Sequence, residues 1–448
     1  SPSRGLGDVY KRQTLTPVDV TEQAADSFGS LALALHNRGV DPHRAAHFLV
    51  QLLFCLFAED VGLLPKGVFT NLLAFCAKRP DRFPTEIETL LTAMRDGGVI
   101  AFHEIDRFNG GLFVEVAVEA LTKQELEKLV EASGFDWGNV EPAIFGTLFE
   151  RSLDPSKRAQ LGAHYTGRRD IERVVEPVVM TPLRRRWAEV RAEADDLKIE
   201  FDAAKAIAAK KSFAELRQDR SMNRTRIALE LHLAAFQQEL TSIRILDPAC
   251  GSGNFLYVAL AALKELEKEV IAYGASSGLS MMVPRVTPTQ LHGLEINEYA
   301  REIAQVVIWI GYLQWMTANG FQVNRDPVLE PLETIRLQDA LLDRQEDGQV
   351  HEPDWPTADF IIGNPPFLGG KRLRSELGDE TVNALFTIYQ GRVARESDLA
   401  CYFFEKTRAQ IAIGETTRAG LLATNSIRGG VNRRVLERIK QTLSLIHI

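Results

Sequence analysis

Near the middle of the chain the sequence reads IRILDPACGSGNF, from Ile243 to Phe255. Residues 243–246 predict a short, mostly apolar strand, and Asp247 follows at its end. Gly251 and Gly253 then let the backbone turn sharply and approach a ligand closely, ahead of an apolar helix predicted over 255–273. Doubly wound folds bind nucleotides at such a strand-to-helix turn.

The turn differs from two common phosphate-binding loops. Phe255 and Leu256 occupy the positions after Gly253, so the pattern is not the GxGxxG of dinucleotide enzymes. No Lys-Ser or Lys-Thr pair follows, which argues against a triphosphate loop. Taken alone, the stretch is also compatible with a generic turn between a strand and a helix.

Further strands are predicted downstream of this turn. They cover 289–295, 334–337, 359–362 and 420–423, and helical segments such as 298–316 and 431–442 separate most of them. Strands that alternate with helices indicate an α/β fold with a doubly wound, mostly parallel sheet.

Acidic residues end two of these strands. Glu295 ends the second strand, where a carboxylate can accept hydrogen bonds from both hydroxyls of a ribose. Asp339 follows the third strand and can accept from an exocyclic adenine amine. Each of them, taken alone, can equally be an ordinary acid at a strand end.

The fourth strand leads into the sequence DFIIGNPPF, from Asp359 to Phe367. Pro365 and Pro366 have a fixed φ and no N–H donor, so their carbonyls project with little freedom. The side-chain oxygen of Asn364 and the Pro365 carbonyl can together accept both hydrogens of an amine, and Phe367 can stack on a planar base. The alternative for this segment is a purely structural Pro-Pro turn.

In this order the segments closely resemble the gamma class of DNA amino-methyltransferases that use S-adenosylmethionine. A further block, GAHYT at 162–166, is similar to the segment that covers the cofactor ahead of the sheet in that class. The resemblance implies a Rossmann-like methyltransferase sheet, no metal, and a target base flipped out of the duplex. It implies a catalytic tetrapeptide made of Asn364, Pro365, Pro366 and Phe367. It implies a cofactor-binding set made of His164, Tyr165, Thr166, Asp247, Ala249, Gly251, Gly253, Asn254, Phe255, Glu295, Ile296, Asp339 and Ala340.

The first part of the chain is predicted to be all-α. Apolar residues of 45–57 recur at helical spacing on one face, and His47 beside that face is interpreted as structural. The segment FLVQLLFCLFAED, 48–60, resembles the helical spacer of single-chain type IIL restriction–modification enzymes. We therefore expect a spacer domain over 14–150, a cofactor-covering segment with two long charged antiparallel helices over 151–240, and the methyltransferase domain over 241–443.

Enzymes of that type carry a nuclease domain before the spacer and a target-recognition domain after the methyltransferase, and neither is visible here. A restriction or specificity module is therefore an expected partner in the full-length parent protein. Residues 1–13 and 444–448 are interpreted as non-native ends. The last strands of the usual seven-stranded sheet are expected beyond residue 448, which would leave the sheet truncated.

Composition narrows the class of protein. Hydrophobic residues make up 45% and charged residues 25% of 448 residues, as in core-forming globular proteins. The longest apolar runs are shorter than the ~20 residues that cross a bilayer, so no membrane association is expected. Four scattered cysteines without a CxxC pair argue against zinc and disulfide frameworks and favour the cytoplasm.

The charge pattern is compatible with double-stranded DNA as the partner. The net charge is −8, yet residues 371–440 hold 13 Lys and Arg against 8 Asp and Glu. Lys371, Arg372 and Arg374 follow Gly369 and Gly370 and can contact phosphates; a solvated basic loop is the equal alternative.

The leading hypothesis is methyl transfer to the N6 amine of adenine in DNA, within a restriction–modification or related defence system. Cytosine-N4 enzymes are the nearest rival, but their tetrapeptide normally begins with Ser or Asp rather than Asn. Two more hypotheses stay open: an RNA or protein-glutamine methyltransferase, and a non-catalytic DNA-binding or scaffold subunit of a defence system.

Overall fold

The computed structural model describes residues 17–108, 111–143, 146, 166–211, 221–280, 282–321, 332–345 and 347–443. These residues form two compact units. The first holds the described residues up to 146 together with those from 302 to 321, and the second holds 166–301 and the residues from 332 onward. The predicted residues His164 and Tyr165 and both chain ends lie outside the described residues.

The first unit is mainly helical, as the sequence predicts. A short antiparallel hairpin, β1 (Gly98–Ile100) and β2 (His103–Ile105), follows its fourth helix. Its helices are α1 (Pro17–Asn37), α2 (Pro42–Asp60), α3 (Val68–Lys78), α4 (Phe83–Asp96) and α5 (Lys123–Ala132).

Helix α2 lies at the centre of this unit. Asp41 caps its start by accepting from the backbone N–H groups of His43 and Arg44, each at 3.0 Å. Every residue from Ala45 to Glu59 is buried, so the single apolar face read from the sequence was too narrow. A helix that is apolar nearly all round is surrounded by other elements rather than resting on one of them.

His47 is the buried histidine of α2, and its contacts support the structural interpretation. Its Nδ1 lies 3.3 Å from Glu302 Oε2, and its Nε2 lies 2.9 Å from the backbone carbonyl of Glu115. Burial alone would lower the pKa of His47, but the bonds to Glu302 and the carbonyl outweigh it and raise the pKa.

The second unit contains the remaining helices around a parallel sheet. The helix α10 starts in the second unit and continues in the first from Glu302. The helices are α6 (Arg168–Val175), α7 (Thr181–Ala208), α8 (Ser221–Ser242), α9 (Asn254–Ser276), α10 (Glu298–Ala318), α11 (Leu373–Leu377), α12 (Asp379–Ile388), α13 (Ala400–Ala412) and α14 (Arg433–Thr442).

Helices α7 and α8 are the two long charged helices predicted over 183–240, and they run antiparallel. Trp187 stacks on Phe236 with ring centroids 5.3 Å apart, and farther along His232 reaches the carbonyl of Val190 at 3.0 Å. The same Trp187 meets Tyr273 of α9 edge to face. The pair therefore packs on the helix that follows the Gly-rich turn, rather than standing in solvent.

The central sheet has five parallel strands, which confirms the predicted α/β class. The strands are β3 (Ile245–Asp247), β4 (Leu291–Glu295), β5 (Ile335–Leu337), β8 (Phe360–Gly363) and β9 (Arg418–Leu421). Their order across the sheet is β5-β4-β3-β8-β9. A small antiparallel pair, β6 (Asp343–Arg344) and β7 (Val350–His351), lies between β5 and β8 in the chain.

The strand order reverses direction between β3 and β8. The chain moves outward from β3 through β4 to β5, and then returns to place β8 on the other side of β3. In open α/β sheets, ligands bind outside the carboxyl ends of the strands at this switch point. The turns that begin at Asp247 and Gly363 therefore occupy the place where such folds hold a ligand.

A five-residue π-helical segment, Glu176–Met180, joins α6 to α7. Gly420 of β9 lies directly against this region, because a Cβ there would be 2.6 Å from Val178 Cγ2 and 2.9 Å from Val174 Cγ1. The helix ahead of the sheet is thus in close contact with the edge strand.

All four cysteines are buried and unbridged. None of the helices in the described part of the chain combines the length and apolar character needed to cross a bilayer.

Candidate functional site

Two turns meet at the switch point, one after β3 and one after β8. The strands pair in parallel, with Ile245 opposite Phe360 and Leu246 opposite Ile361. At the next step the Asp247 carboxylate lies against Gly363, where a Cβ would be 2.5 Å from Asp247 Oδ1. The lack of a side chain at Gly363 therefore brings the Gly-rich turn and the Asn364 turn into contact.

The Gly-rich turn needs its glycines. Gly251 has φ of 52° and Gly253 has φ of 81°, both in the left-handed region that side chains disfavour. The turn is tied to β4 by the Cys250 N–H, which donates to the Leu294 carbonyl at 3.1 Å. Gly293 makes room for this packing, since a Cβ there would lie 2.7 Å from Cys250 Sγ.

Glu295 binds the Gly-rich turn directly. Its Oε2 accepts the Gly251 N–H at 2.9 Å, and its Oε1 accepts the Asn297 N–H at 2.8 Å. A carboxylate has about four acceptor positions, so both oxygens keep capacity for a further donor such as a hydroxyl. Burial raises the pKa of Glu295, and these N–H donors oppose the increase.

Asp247 is almost completely buried and receives the Ala249 N–H on Oδ1 at 3.0 Å. Burial is the main cause that raises its pKa to about 8; the Ala249 N–H lowers it, and the negative charge of Glu295 raises it further. Two carboxyl groups thus share a poorly solvated region beside the turn. Such a pair favours a bound cation, which would offset their mutual repulsion.

The predicted adenine-binding residues lie at the ends of β4 and β5. Asp339 Oδ1 accepts the N–H groups of Leu341 and Leu342 at 2.8 and 3.2 Å, so this oxygen already stabilises its own turn. Ala340 is buried, and its carbonyl accepts from Trp355 Nε1 at 2.8 Å. Ile296, by contrast, is 65% exposed and offers an apolar surface next to Glu295.

The Asn364 turn combines a fixed backbone with an oriented amide. Pro365 is buried, while Asn364, Pro366 and Phe367 are half-buried. Asn364 Nδ2 donates to Thr166 Oγ1 at 2.9 Å. Asn364 Oδ1 is buried and meets no donor among the described residues. The amide therefore directs its acceptor, rather than its donor, away from Thr166.

Asn254 is a second predicted residue with a buried acceptor. It begins α9, and its Oδ1 has no hydrogen-bond partner within the described part of the chain. Phe255 beside it is buried. Buried polar atoms are normally satisfied, so an orphaned acceptor at the start of α9 marks a place where a ligand donor can bind.

The basic residues after the Asn364 turn are exposed but partly neutralised. Arg372 pairs with Glu376 at 2.8 Å, and Arg374 pairs with Asp379. Gly370 fixes this loop, because a Cβ on it would lie only 1.7 Å from the Glu396 carbonyl oxygen. The phosphate-binding assignment of Lys371, Arg372 and Arg374 stays a prediction.

Sequence reasoning missed Gly293 and Gly363. Both are glycines inside buried strands, one or two residues before a predicted site residue. That position is the signal that could have found them, because glycine within a strand often marks a close approach of another group.

The comparisons with known proteins agree with this arrangement. The family model of the MmeI DNA-methyltransferase domain matches residues 218–444, just over half of the chain. The model of the MmeI helicase spacer domain matches residues 43–113. The predicted spacer and methyltransferase resemblance is thereby confirmed.

Two relatives give the extent of the similarity. DNA methyltransferase A of Bacillus subtilis (strain 168) is 27% identical over 436 residues, which cover 94% of this chain and 44% of that protein. The solved structure of the type IIL restriction-modification enzyme MmeI in complex with DNA is 25% identical with a TM-score of 0.67, over 96% of this chain and 53% of that one. The chain thus spans about half the length of these relatives. With the family model matching over its second half, the chain belongs to the MmeI family of DNA methyltransferases.

Proposed function

We propose that this chain transfers a methyl group from S-adenosylmethionine to the exocyclic N6 amine of adenine in DNA. The observation that carries the proposal is the buried Asn364 Oδ1, an acceptor without a donor among the described residues. It begins the Asn-Pro-Pro-Phe turn directly beside the Gly-rich turn. An amine that enters there would find an acceptor waiting, and a methyl donor would lie next to it.

The residues present fit S-adenosylmethionine. Asn254 Oδ1 is a buried acceptor at the start of α9, suited to an ammonium or hydroxyl donor. Asp247 and Glu295 form an acidic pair that favours a cationic ligand, and Ile296 offers an exposed apolar face for a flat ring. When bound, this cofactor supplies an electrophilic methyl group on a positively charged sulfur.

The chain's own residues would act mainly by positioning and by charge stabilisation. The lone pair of an adenine amine is delocalised into the ring, which makes the amine a poor nucleophile. Asn364 Oδ1 and the Pro365 carbonyl would each accept one amine hydrogen and so favour a localised lone pair. The same two oxygens would stabilise the positive charge that develops on nitrogen during the transfer.

The target base must leave the double helix to reach this turn. Phe367 would then stack on the flipped base, a contact worth about 1–3 kcal/mol. Lys371, Arg372 and Arg374 would hold the phosphate backbone next to the target. The length shared with the relatives leads us to infer a restriction or specificity module as a partner of this unit in the full-length protein.

The test is the modified base itself. DNA methylated by the natural full-length protein would be digested to nucleosides, and N6-methyladenine would be measured by mass spectrometry. We expect N6-methyladenine in the wild type. Asn364→Ala should lose on the order of 10²-fold or more of the transfer rate, with cofactor affinity in calorimetry nearly unchanged because Asn364 faces the target and not the Gly-rich turn.

Three results would contradict the proposal. N4-methylcytosine in place of N6-methyladenine would refute the choice of base. Normal turnover by Asn364→Ala would refute the role of the turn. A wild-type protein that binds DNA but not S-adenosylmethionine would indicate a non-catalytic subunit.

A further inference from the structure

The hydroxyl of Thr166 is the side-chain partner of the Asn364 amide among the described residues. The two residues are 198 positions apart in the sequence. Resemblance assigned Thr166 to the cofactor. We propose instead that Thr166 is a positioning residue, which fixes the orientation of the Asn364 amide so that its oxygen faces the target amine; this inference rests on the proposed function.

The argument starts from the two ends of an amide. An asparagine side chain presents an oxygen that only accepts and an NH₂ group that only donates, and rotation by about 180° exchanges them. Either end fits the same space, so packing alone does not select one of them. The hydrogen bond from Nδ2 to Thr166 Oγ1, 2.9 Å long, does select.

The chemistry of the target makes this selection important. An adenine amine presents hydrogens, so it needs an acceptor. If the amide were rotated, its NH₂ group would face another NH₂ group, and the charge developing on nitrogen would be opposed rather than stabilised. The orphaned Oδ1 lies on the side away from Thr166, which is the orientation that the reaction requires.

The position of Thr166 in the fold gives the contact a rigid support. Thr166 lies two residues before α6, and the first residue of that helix, Arg168, reaches the hydroxyl of Tyr257 on α9 at 3.3 Å. Helix α9 starts at the Gly-rich turn. Thr166 is therefore held by the same helix that carries the cofactor turn, and its hydroxyl has a defined place from which to orient Asn364.

Two substitutions separate the hydroxyl from the bulk of the side chain. Thr166→Val keeps the shape and removes the hydroxyl, whereas Thr166→Ser keeps the hydroxyl and removes a methyl group. In single-turnover experiments with saturating cofactor and DNA, we expect Thr166→Val to transfer methyl about 10-fold more slowly, since it loses one hydrogen bond and leaves an amide donor unpaired. Thr166→Ser should stay within about threefold of the wild type.

The other outcomes overturn the inference. If Thr166→Val has the wild-type rate at saturation but binds S-adenosylmethionine more weakly in calorimetry, Thr166 contacts the cofactor and does not position Asn364. If Thr166→Ser is as slow as Thr166→Val, the methyl group and not the hydroxyl matters.

A second measurement does not depend on activity. In protein labelled with ¹⁵N-asparagine, the side-chain NH₂ protons of Asn364, assigned with Asn364→Ala, should exchange more slowly with solvent than those of exposed asparagines. Thr166→Val should abolish this protection if it folds, and rapid exchange in the wild type itself would refute the hydrogen bond. If the wild type does not methylate adenine, the proposed function fails while the exchange result still decides the contact; if it does, and both variants match it, only the inference fails.

Discussion

Replacing Gly370 by alanine should separate the loop after the Asn-Pro-Pro-Phe turn from the segment that holds it. The added Cβ would lie 1.7 Å from the Glu396 carbonyl oxygen and 2.6 Å from the Glu396 Cα. Both are backbone atoms, so no side-chain rotation can relieve the overlap. To reach even 3.0 Å the two backbones must part by about 1.3 Å.

The cost of this separation follows from the contacts it disturbs. Overpacking of this kind typically destabilises by about 1–3 kcal/mol. The nearby bond from the Leu399 N–H to the Leu368 carbonyl, 2.9 Å long, would stretch as well and contribute about 1 kcal/mol. Gly370 is three residues after Phe367, so a shift of about 1 Å in the turn should slow methyl transfer on the order of 10²-fold.

The matched control is the neighbouring residue. Gly369 has φ of −59° and ψ of 142°, which alanine adopts easily, and nothing lies within 4 Å of the position of its Cβ. The free energy of unfolding from denaturant titration and the single-turnover rate on DNA would be compared for Gly369→Ala and Gly370→Ala. Equal values for the two variants would refute the idea that the Glu396 contact fixes this loop.

Three further outcomes are expected. Gly363→Ala should lower the transfer rate by at least about 10-fold by pushing the Asp247 carboxylate from its place, whereas Gly429→Ala, with open space and φ of −125°, should not; equal single-turnover rates would contradict this. Phe367→Ala should weaken transfer more than Phe367→Tyr, because stacking requires only an aromatic face; if the two variants transfer at the same rate, Phe367 only packs. Burial, with a further contribution from Glu295, raises the pKa of Asp247 from 3.8 to about 8, so the folded chain keeps a proton that the unfolded chain has lost. Its contribution to the free energy of unfolding should therefore fall as pH rises from about 4 to about 8, and Asp247→Asn should reduce this fall in denaturant titrations at about pH 5 and about pH 7.5; an unchanged slope would show that Asp247 titrates normally.

The predicted strands and helices match the structure closely because their signals are local. The strand predicted over 359–362 is observed as Phe360–Gly363, and the helix predicted over 255–273 as Asn254–Ser276. Motif order and the rules for parallel sheets then bring the Gly-rich turn and the Asn364 turn to the same edge. The site could be located in this way without coordinates.

The remaining features depend on contacts that no local pattern encodes. Thr166 and Asn364 meet across 198 positions, and Glu295 binds the Gly251 N–H across 44. Lys264 and Glu267 would be predicted on a solvated face of α9, yet both are fully buried as an ion pair at 3.1 Å. Such groups leave solvent only because distant segments supply their partners.

The π-helical segment at Glu176–Met180 also limits how the length of the chain can change. A π turn holds one residue more than an α turn, so deleting a residue here would rotate α6 by about 100° relative to α7. Val174 would then leave Gly420, and Thr166 would move away from Asn364. Substitutions within the segment keep this rotational phase, whereas a single insertion or deletion changes it. The spacing between the start of α6 and the long helices is thus set by residue count more than by residue type.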